Sequence, residues 1–444
     1  MVNKIKVLIS GVNRKITKTF YLENKLGNID GIISELNSYA NLFGQNMPVV
    51  VEGNPKTVDS LNHRIRTSPY VSRLLSRPLI KLIPVSKTKS GGVSLNRRKK
   101  VGVKHTSRGG KVYSVGIDVG GTFIKCLVLR NSIPVSSSFT KIVTPKKRGD
   151  IVLNLAKLVD TAMLGLDKQR LRGIGIGIPG FAENGRIEKL SNLTAWNGLE
   201  LERSLSKILA QDYGYPLVNV WIDNDANLAG LRNAVRLKKP GSITFTVGTG
   251  VGGGIVSNYK IFHGITGAAG EMHLRITGFE GVKDACTCGI KDGCIESVCS
   301  SRGIVLSFTD EWFEFVQANS GSKSKSSDDV LSKIAVRVRN TGVITNKDCR
   351  EIDVAAQKGC VPAKKVMYAT AKNFVIAIEY LYKLTGIKDY IFSGGVVQGL
   401  LGEYMRKELS FRKLTQCGIK TFIVSDADTA GAEGAALFAW TVNS

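Results

Sequence analysis

Residues able to do chemistry gather in four short stretches. In IDVGGTFIK (117–125) an acidic residue closes an apolar run and is followed by Gly120, Gly121 and Thr122, with Lys125 beyond them. Glycines there let backbone N–H groups and a hydroxyl face a phosphate without Cβ interference, and Asp118 stands where a magnesium ion needs an oxygen ligand. A Gly-Gly hairpin turn with no ligand accounts for the same residues equally well. In FTVGTGVGGG (245–254), Gly248, Thr249 and Gly250 lead into Gly252, Gly253 and Gly254, so five of seven residues are glycine. Each would cost about 0.5–1 kcal/mol inside a regular strand, and close approach to a phosphate is the demand that best explains them. No Gly-Lys-Ser/Thr follows, so this is not the Walker arrangement.

The third stretch, WIDNDANLA (221–229), sets Asp225 between Asn224 and Asn227. A carboxylate held among amides at a strand end could take the proton of a hydroxyl as it attacks phosphorus. An Asx-rich helix N-cap is the plainer account. The fourth is ACTCGIKDGC, where Cys286, Cys288 and Cys294 follow His273 of GAAGEMH. Thiolates at this spacing can converge on one ion, and an imidazole upstream completes a Cys3His structural zinc site. A labile disulfide or three buried thiols are the alternatives. Zinc is favoured, because the other five cysteines are scattered and form no secreted disulfide framework.

These groups need strand ends to carry them. VYSVGIDVGGTFIKCLVLR reads as strand, glycine turn, strand, and helical and strand segments alternate from there to about Asp223. ADTAGAEGAALFAW reads as a small-residue helix able to pack closely on a sheet. The two glycine turns lie about 130 residues apart, which suits a nucleotide held between two lobes. Upstream, KIKVLIS, ITKTFYL, PVVVEG and PLIKLIPV read as strands, with helices over IDGIISELNSYANLF and TVDSLNHRIRTSPYVSRLL. The expected organisation is a small basic α+β domain over 1–85 and a basic Gly/Ser-rich linker over 86–110. A small lobe over 111–223 is completed by the C-terminal helix 425–444, and a large lobe spans 224–424. Within that lobe, NSGSKSKSSDD (319–329) reads as a mobile loop.

Composition sets the outer bounds. A chain of 444 residues with 43% hydrophobic and 22% charged residues is that of an ordinary globular protein. No apolar run reaches the ~20 residues that span a bilayer, so no membrane partner and a cytoplasmic location are expected. The net charge is +26, and residues 1–110 hold more than half of that excess. That asymmetry points to contact with a polyanion or nucleic acid through residues 1–110. No helix-turn-helix rhythm accompanies it.

Taken in order, IDVGGTFIK, GIGIPGFAENGRI, NLTAWNGLEL, NDANLAG, TVGTGVGGGI, GAAGEMH, CTCGIKDGCIE, FSGGVV and AGAEGAA resemble the ROK family of sugar kinases and repressors over about residues 112–440. The resemblance implies an α/β protein of two-lobed, actin-like ATPase (RNase H-like, hexokinase) fold, closing over ATP and a hexose. Asp118 and Gly120 to Thr122 match its first phosphate motif, with Lys125 beside them, and Gly248 to Gly254 match the second. Gly394, Gly395 and Gly431 would lie near the adenosine. Asp225 matches the general base, Asn197, Asn224, Glu271, His273 and Glu296 match sugar contacts, and His273, Cys286, Cys288 and Cys294 match zinc ligands.

The chain departs from the family pattern twice. Gly270-Glu-Met-His273 is one residue shorter than Gly-Glu-x-Gly-His, and three residues, Ile290 to Asp292, separate the knuckle glycines instead of two. If the first segment is helical, Glu271 and His273 fall on different faces, and Cys299 becomes the substitute ligand. The implied function is transfer of the ATP γ-phosphate to a hexose, most naturally the glucose 6-hydroxyl, with magnesium as catalytic metal and structural zinc. An N-acetylhexosamine kinase and a sugar-responsive regulator are the alternatives. The expected partners are the hexose and further copies of the chain, as dimer or tetramer.

Overall fold

The structure, a computed structural model, describes residues 3–10, 15–22, 49–52 and 111–442 except 191, 266, 277, 282–293, 320–328, 346 and 426–427. The chain divides into two compact units, residues 1–110 with 263–269 and residues 111–262 with 270–444. In the first, β1 (Asn3–Ser10) pairs antiparallel with β2 (Lys15–Leu22) and β3 (Val49–Glu52), in the order β2-β1-β3. The two helices and the closing strand expected before residue 86, and the linker, lie outside the described residues.

The second unit is built on two sheets. β4 (Tyr113–Val119) and β5 (Phe123–Arg130) form an antiparallel hairpin, flanked by β6 (Ile133–Pro134) and β7 (Thr140–Val143) on the β5 side. β8 (Leu171–Ile178) runs parallel to β4, a small ribbon of β9 (Phe181–Glu183) and β10 (Arg186–Lys189) follows, and β11 (Asn219–Asn224) runs parallel to β8. The second sheet repeats the scheme. β12 (Gly241–Val247) and β13 (Val251–Ser257) form the hairpin, with β14 (Lys260–Ile261) at its edge. β15 (Asp389–Ser393) and β16 (Lys420–Val424) run parallel beyond β12. Each glycine-rich stretch is therefore the turn of the founding hairpin of a sheet.

Helices cover the faces. α1 (Ile151–Ala162) and α2 (Leu201–Asp212) bury Ile151, Leu155, Val159, Leu205 and Leu209 against the first sheet. α3 (Asp225–Arg236) leaves the end of β11. α4 (Ile295–Cys299), α5 (Ser301–Ala318), α6 (Asp329–Thr341), α7 (Asp348–Gln357), α8 (Val361–Thr385) and α9 (Leu400–Phe411) follow. Residues of α4 to α9 join the second sheet in one core, in which Phe245, Phe374 and Phe392 meet with ring centroids 5.0–5.7 Å apart. No described helix is long and apolar enough to cross a membrane. The 319–329 insert lies almost wholly outside the described residues.

α10 (Ala430–Val442) returns to the first sheet. Its small side chains let it lie at backbone contact: a Cβ added at Gly116 would stand 1.8 Å from the Ala432 carbonyl oxygen, and one at Gly175 would stand 1.9 Å from that of Ala435. On the same face, alternate β5 residues Leu127 and Leu129 pack with Leu228, Leu231 and Leu437. One ionic link joins α3 to α10. Glu433, 5% exposed, accepts from Arg232 Nε at 3.1 Å and from Arg236 Nε at 2.6 Å. Because the fixed sheet and helix backbones leave no room at Gly175, Gly175→Ala should destabilise the unit by about 1–3 kcal/mol or more in denaturant unfolding. A change under about 0.5 kcal/mol would show that α10 is not seated so closely.

Candidate functional site

At the first turn, the Gly120 N–H donates to the Phe123 carbonyl at 3.0 Å, and a Cβ at Gly120 would sit 2.8 Å from that oxygen. Nothing lies within 4 Å of a Cβ at Gly121, so the turn is open where the chain reverses, and Thr122 beside it is exposed. Thr144 Oγ1 and Lys146 Nζ donate to the Gly120 and Gly121 carbonyls, each at 2.7 Å. Asp118 lies opposite Lys125 in the hairpin, and the Lys125 ammonium is 2.7 Å from Asp428. A Cβ at Gly431 would approach the Asp118 carboxyl to 2.4 Å, so the positive end of α10 abuts that carboxylate. Gly431, expected near the adenosine, thus stands at Asp118. Burial raises the pKa of Asp118; Lys125 pulls against it, and Asp428 adds to it.

Asp225 follows the end of β11, one strand beyond β8 in the same sheet. Both β4 and β11 run parallel to β8, so Asp118 and Asp225 occupy the carboxyl ends of the two strands that flank β8, where open α/β sheets bind ligands. Between them is Gly177, whose missing side chain leaves room beside the Asp225 backbone and Leu228. Asn224 is the N-cap of α3: its Oδ1 accepts from the Ala226 N–H at 2.9 Å, and its Nδ2 donates to the Gly180 carbonyl at 3.3 Å. The capping reading of this stretch is therefore correct for Asn224, and capping is what places Asp225 in the first turn. The Asp225 side chain opens to the cleft while protein crowds it at longer range. Burial, then the charge of Asp118, and less strongly that of Glu271, push its pKa up to about 6 against the Ala226 amide.

The second glycine stretch divides between two jobs. Gly248 N–H bonds the Gly250 carbonyl at 2.9 Å across the turn, a Cβ at Gly248 would meet nothing within 4 Å, and Thr249 is exposed between them. That part is free for a ligand. Gly252, Gly253 and Gly254 belong to β13 itself, and their missing side chains are replaced by protein. A Cβ at Gly252 would lie 3.0 Å from that of Ala226, and one at Gly254 would lie 2.7 Å from the Ala226 carbonyl oxygen and 3.3 Å from the Gly230 Cα. A Cβ at Gly253 would strike Met272. Two of these three glycines seat α3 and the other receives residues 270–272.

A cavity of about 430 Å³ joins the start of α3 to the second glycine stretch, whereas Asp118, Gly120 to Thr122, Lys125 and Gly431 are not among its lining residues. It is lined by Asn224, Asp225, Gly248, Gly250, Gly252, Gly253, Glu271, His273, Glu296, Gly394 and Gly395 among others. Glu296 on α4 accepts the Val251 N–H at 3.0 Å and so ties the hairpin turn to the cleft wall. Glu271 and His273 both reach the cleft and lie 3.7 Å apart, because residues 271–276 are not helical and the two-residue spacing no longer turns them apart. Gly394 needs its φ of +104°, and a Cβ there would stand 2.1 Å from the Val247 carbonyl oxygen, whereas Gly395 is open. The buried Ser393 hydroxyl beside them has no hydrogen-bond partner among the described residues.

Asn197 is not among the residues lining this cavity. Its Oδ1 accepts the Leu190 N–H at 2.7 Å, and its carbonyl is held by Arg148, so it shapes a loop. A larger cavity, about 580 Å³ along α2 and the outer edge of β11, contains none of the constellation. Cys286 and Cys288 lie outside the described residues, and no group of three or more His, Cys, Asp or Glu able to hold a metal occurs among those described. Cys294 is buried at the start of α4. Cys299, the substitute ligand, is a core thiol directed at the Thr370 carbonyl at 3.8 Å, its pKa raised by burial.

The family model described as "ROK family" matches residues 114–442. The chain belongs to the ROK family. A glucokinase of Halalkalibacterium halodurans is 32% identical to this ROK protein over 292 residues, 64% of this chain and 80% of the relative. A xylose repressor of Caldicellulosiruptor bescii is 28% identical over 201 residues, 43% of this chain and 47% of the repressor. Among solved structures, a ROK hexokinase from Thermus thermophilus superposes with a TM-score of 0.56 at 24% identity, covering 74% of this chain and 99% of the other. A ROK glucokinase from Streptomyces griseus, in complex with glucose and AMPPNP, gives 0.52 at 24% identity with the same coverage. The two-sheet unit of this ROK chain therefore has the actin-like ATPase fold.

Three contributors carry little signal in one sequence: the glycines Gly177 and Gly230, which admit α3; Met272; and Glu433. Gly177, Gly230, Met272 and Glu433 all fall within the quoted motifs GIGIPGFAENGRI, NDANLAG, GAAGEMH and AGAEGAA, which by themselves give them no such role. Because the folded pKa of Asp225 lies above the ordinary carboxylate value, ionising it opposes folding. Asp225→Asn should raise the melting temperature relative to the parent fully above pH ~6, and the gain should vanish below pH ~4. A difference that does not change with pH would contradict the perturbed carboxylate.

Proposed function

We propose that this ROK protein is an ATP-dependent hexose kinase, with the glucose 6-hydroxyl as acceptor and Asp225 as general base. The observation that carries this reading is Asp225 itself. A carboxylate with a pKa of about 6 opens into a cleft bordered by a glycine turn and by Glu271, His273 and Glu296. At neutral pH it is ionised yet basic enough to take the proton of a hydroxyl as that oxygen attacks the γ-phosphorus. ADP departs with the bridging oxygen. The Gly120 and Gly248 amides are spent within their turns, so the remaining backbone amides of Gly120–Thr122 and Gly248–Gly250 would be the ones to meet phosphate oxygens, with Lys125 adding charge beside the first. Asn224, Glu271, His273 and Glu296 would read the hydroxyls, and Gly394 and Gly395, which line the same cavity, would receive the nucleotide.

Asp118 fits a magnesium ion: a partly buried carboxylate with raised pKa at an open strand end gains from a cation beside it. Bound there, magnesium would neutralise charge on the transferring phosphate. A structural zinc at His273, Cys286, Cys288 and Cys294 belongs to the same reading. The Ile295 N–H donates to the Leu274 carbonyl at 3.0 Å, which brings the residues next to His273 and Cys294 together. Zinc there would brace the segment bearing Glu271 and Glu296.

A coupled ADP assay over a panel of hexoses and N-acetylhexosamines, with ATP and magnesium, tests the reading. Glucose should turn over, with kcat/KM falling tenfold per pH unit below about 6. Asp225→Asn should lose ~10²–10⁴ in kcat with sugar affinity largely kept. Absence of turnover across the panel, or a near-normal Asn variant, would overturn it. Elemental analysis should find about one zinc per chain, and chelation should raise the KM for hexose before it lowers kcat. Metal-free protein with full sugar affinity would remove the zinc from the account. The basic residues 1–110 and the repressors in the family support a second reading, a sugar-responsive regulator, which predicts sugar binding without turnover.

A further inference from the structure

We propose that Met272 is a positioning residue for sugar recognition, plugging the glycine socket at Gly253 and so aiming Glu271 and His273 into the cleft. The inference rests on the sugar-kinase reading for the identity of the ligand. Met272 is 2% exposed and belongs to the core of the second sheet, while its neighbours Glu271 and His273 are 59% and 31% exposed at their side chains and line the cavity. The backbone therefore alternates through this segment, with one side chain inward and its two neighbours outward on a shared side.

The inward residue meets a site shaped for it. A Cβ at Gly253 would lie 2.4 Å from both Cγ and Cε of Met272, so the thioether chain occupies the space a β13 side chain would take. Gly270, at φ +103°, brings the chain in against the same strand, where its own Cβ would stand 2.7 Å from the Gly253 carbonyl oxygen. Residues 252 and 254 point the other way along β13 and receive α3, which begins at Asp225. One three-residue run of glycine thus sets both the base-bearing helix and the sugar-reading segment against a single strand. In this chain, with one residue fewer between Gly270 and His273 than the family pattern has, the Met272 plug holds the register of Glu271 and His273. An unbranched thioether can fill so narrow a gap without displacing the backbone.

Sugar affinity by calorimetry, together with KM values for hexose and ATP, should be measured for the full chain and for Met272→Ala and Met272→Leu. The alanine variant should bind hexose ~10-fold or more weakly and show the same rise in hexose KM, with kcat and the KM for ATP within about threefold of the parent. The leucine variant, of similar volume, should recover most of the affinity. Met272→Val carries the same test should the alanine variant not be recovered folded. A folded truncation variant with hexose affinity within about twofold of the parent, or one whose KM for ATP rises in step, would overturn the assignment. A parent that binds sugar without turnover defeats the kinase reading and leaves this inference to the binding data. A parent that binds no hexose defeats both.

Discussion

Backbone lying directly on backbone, at positions where no side chain intervenes, is the constraint on which the site depends. α3 touches β13 through Gly230 and Gly254, β8 through the space at Gly177, and α10 through Gly434, where an added Cβ would stand 2.5 Å from the Leu228 carbonyl oxygen. The contacts at Gly230, Gly254 and Gly434 bring two main chains closer than any pair of side chains would allow, and Gly177 makes room for the Leu228 side chain. Protein interiors transmit small displacements because they are densely packed. A helix held this closely on three sides has little freedom to shift, and Asp225 rides on its first turn.

Charge then acts within that fixed frame. Asp118 and Asp225 share the open end of one sheet, and each is disfavoured as an ion by burial; for Asp225, the charge of Asp118 adds to that cost. The positive end of α10 beside Asp118 and the capped N-terminus of α3 beside Asp225 oppose the penalty without removing it. A site that must meet the anionic tail of a nucleotide gains from carboxylates whose pKa is raised, because a cation beside them relieves the cost of their charge. Glu433, between Arg232 and Arg236, locks α3, which presents Asp225, to α10, which abuts Asp118, and it does so away from the cleft, where its charge is already matched.

The repeated plan of the two sheets explains why the cleft lies where it does. Each begins with a hairpin whose turn is glycine-rich, and each continues with two parallel strands followed by a helix, α3 after β11 and α10 after β16. The two helices that end these halves lie against each other. The hairpin turns and strand ends are left exposed around them, and irregular segments such as 270–276 complete the walls.

Much of this was legible in the residues themselves. The apolar run closed by Asp118 and the stretch at Asn224 and Asp225 marked two of the strand ends, and the order of the glycine motifs pointed to the family, because local turn chemistry and strand periodicity depend only on neighbouring residues. What tertiary structure decided was the division of labour among similar residues. Gly248 is open, whereas Gly253 is filled by Met272, a side chain nineteen residues away in sequence; Asn224 caps and faces the cleft, whereas Asn197 supports a loop. Glu271 and His273 share one side because their segment is not helical. Such differences arise from which distant backbone arrives at each position, and spacing along the chain carries no record of that.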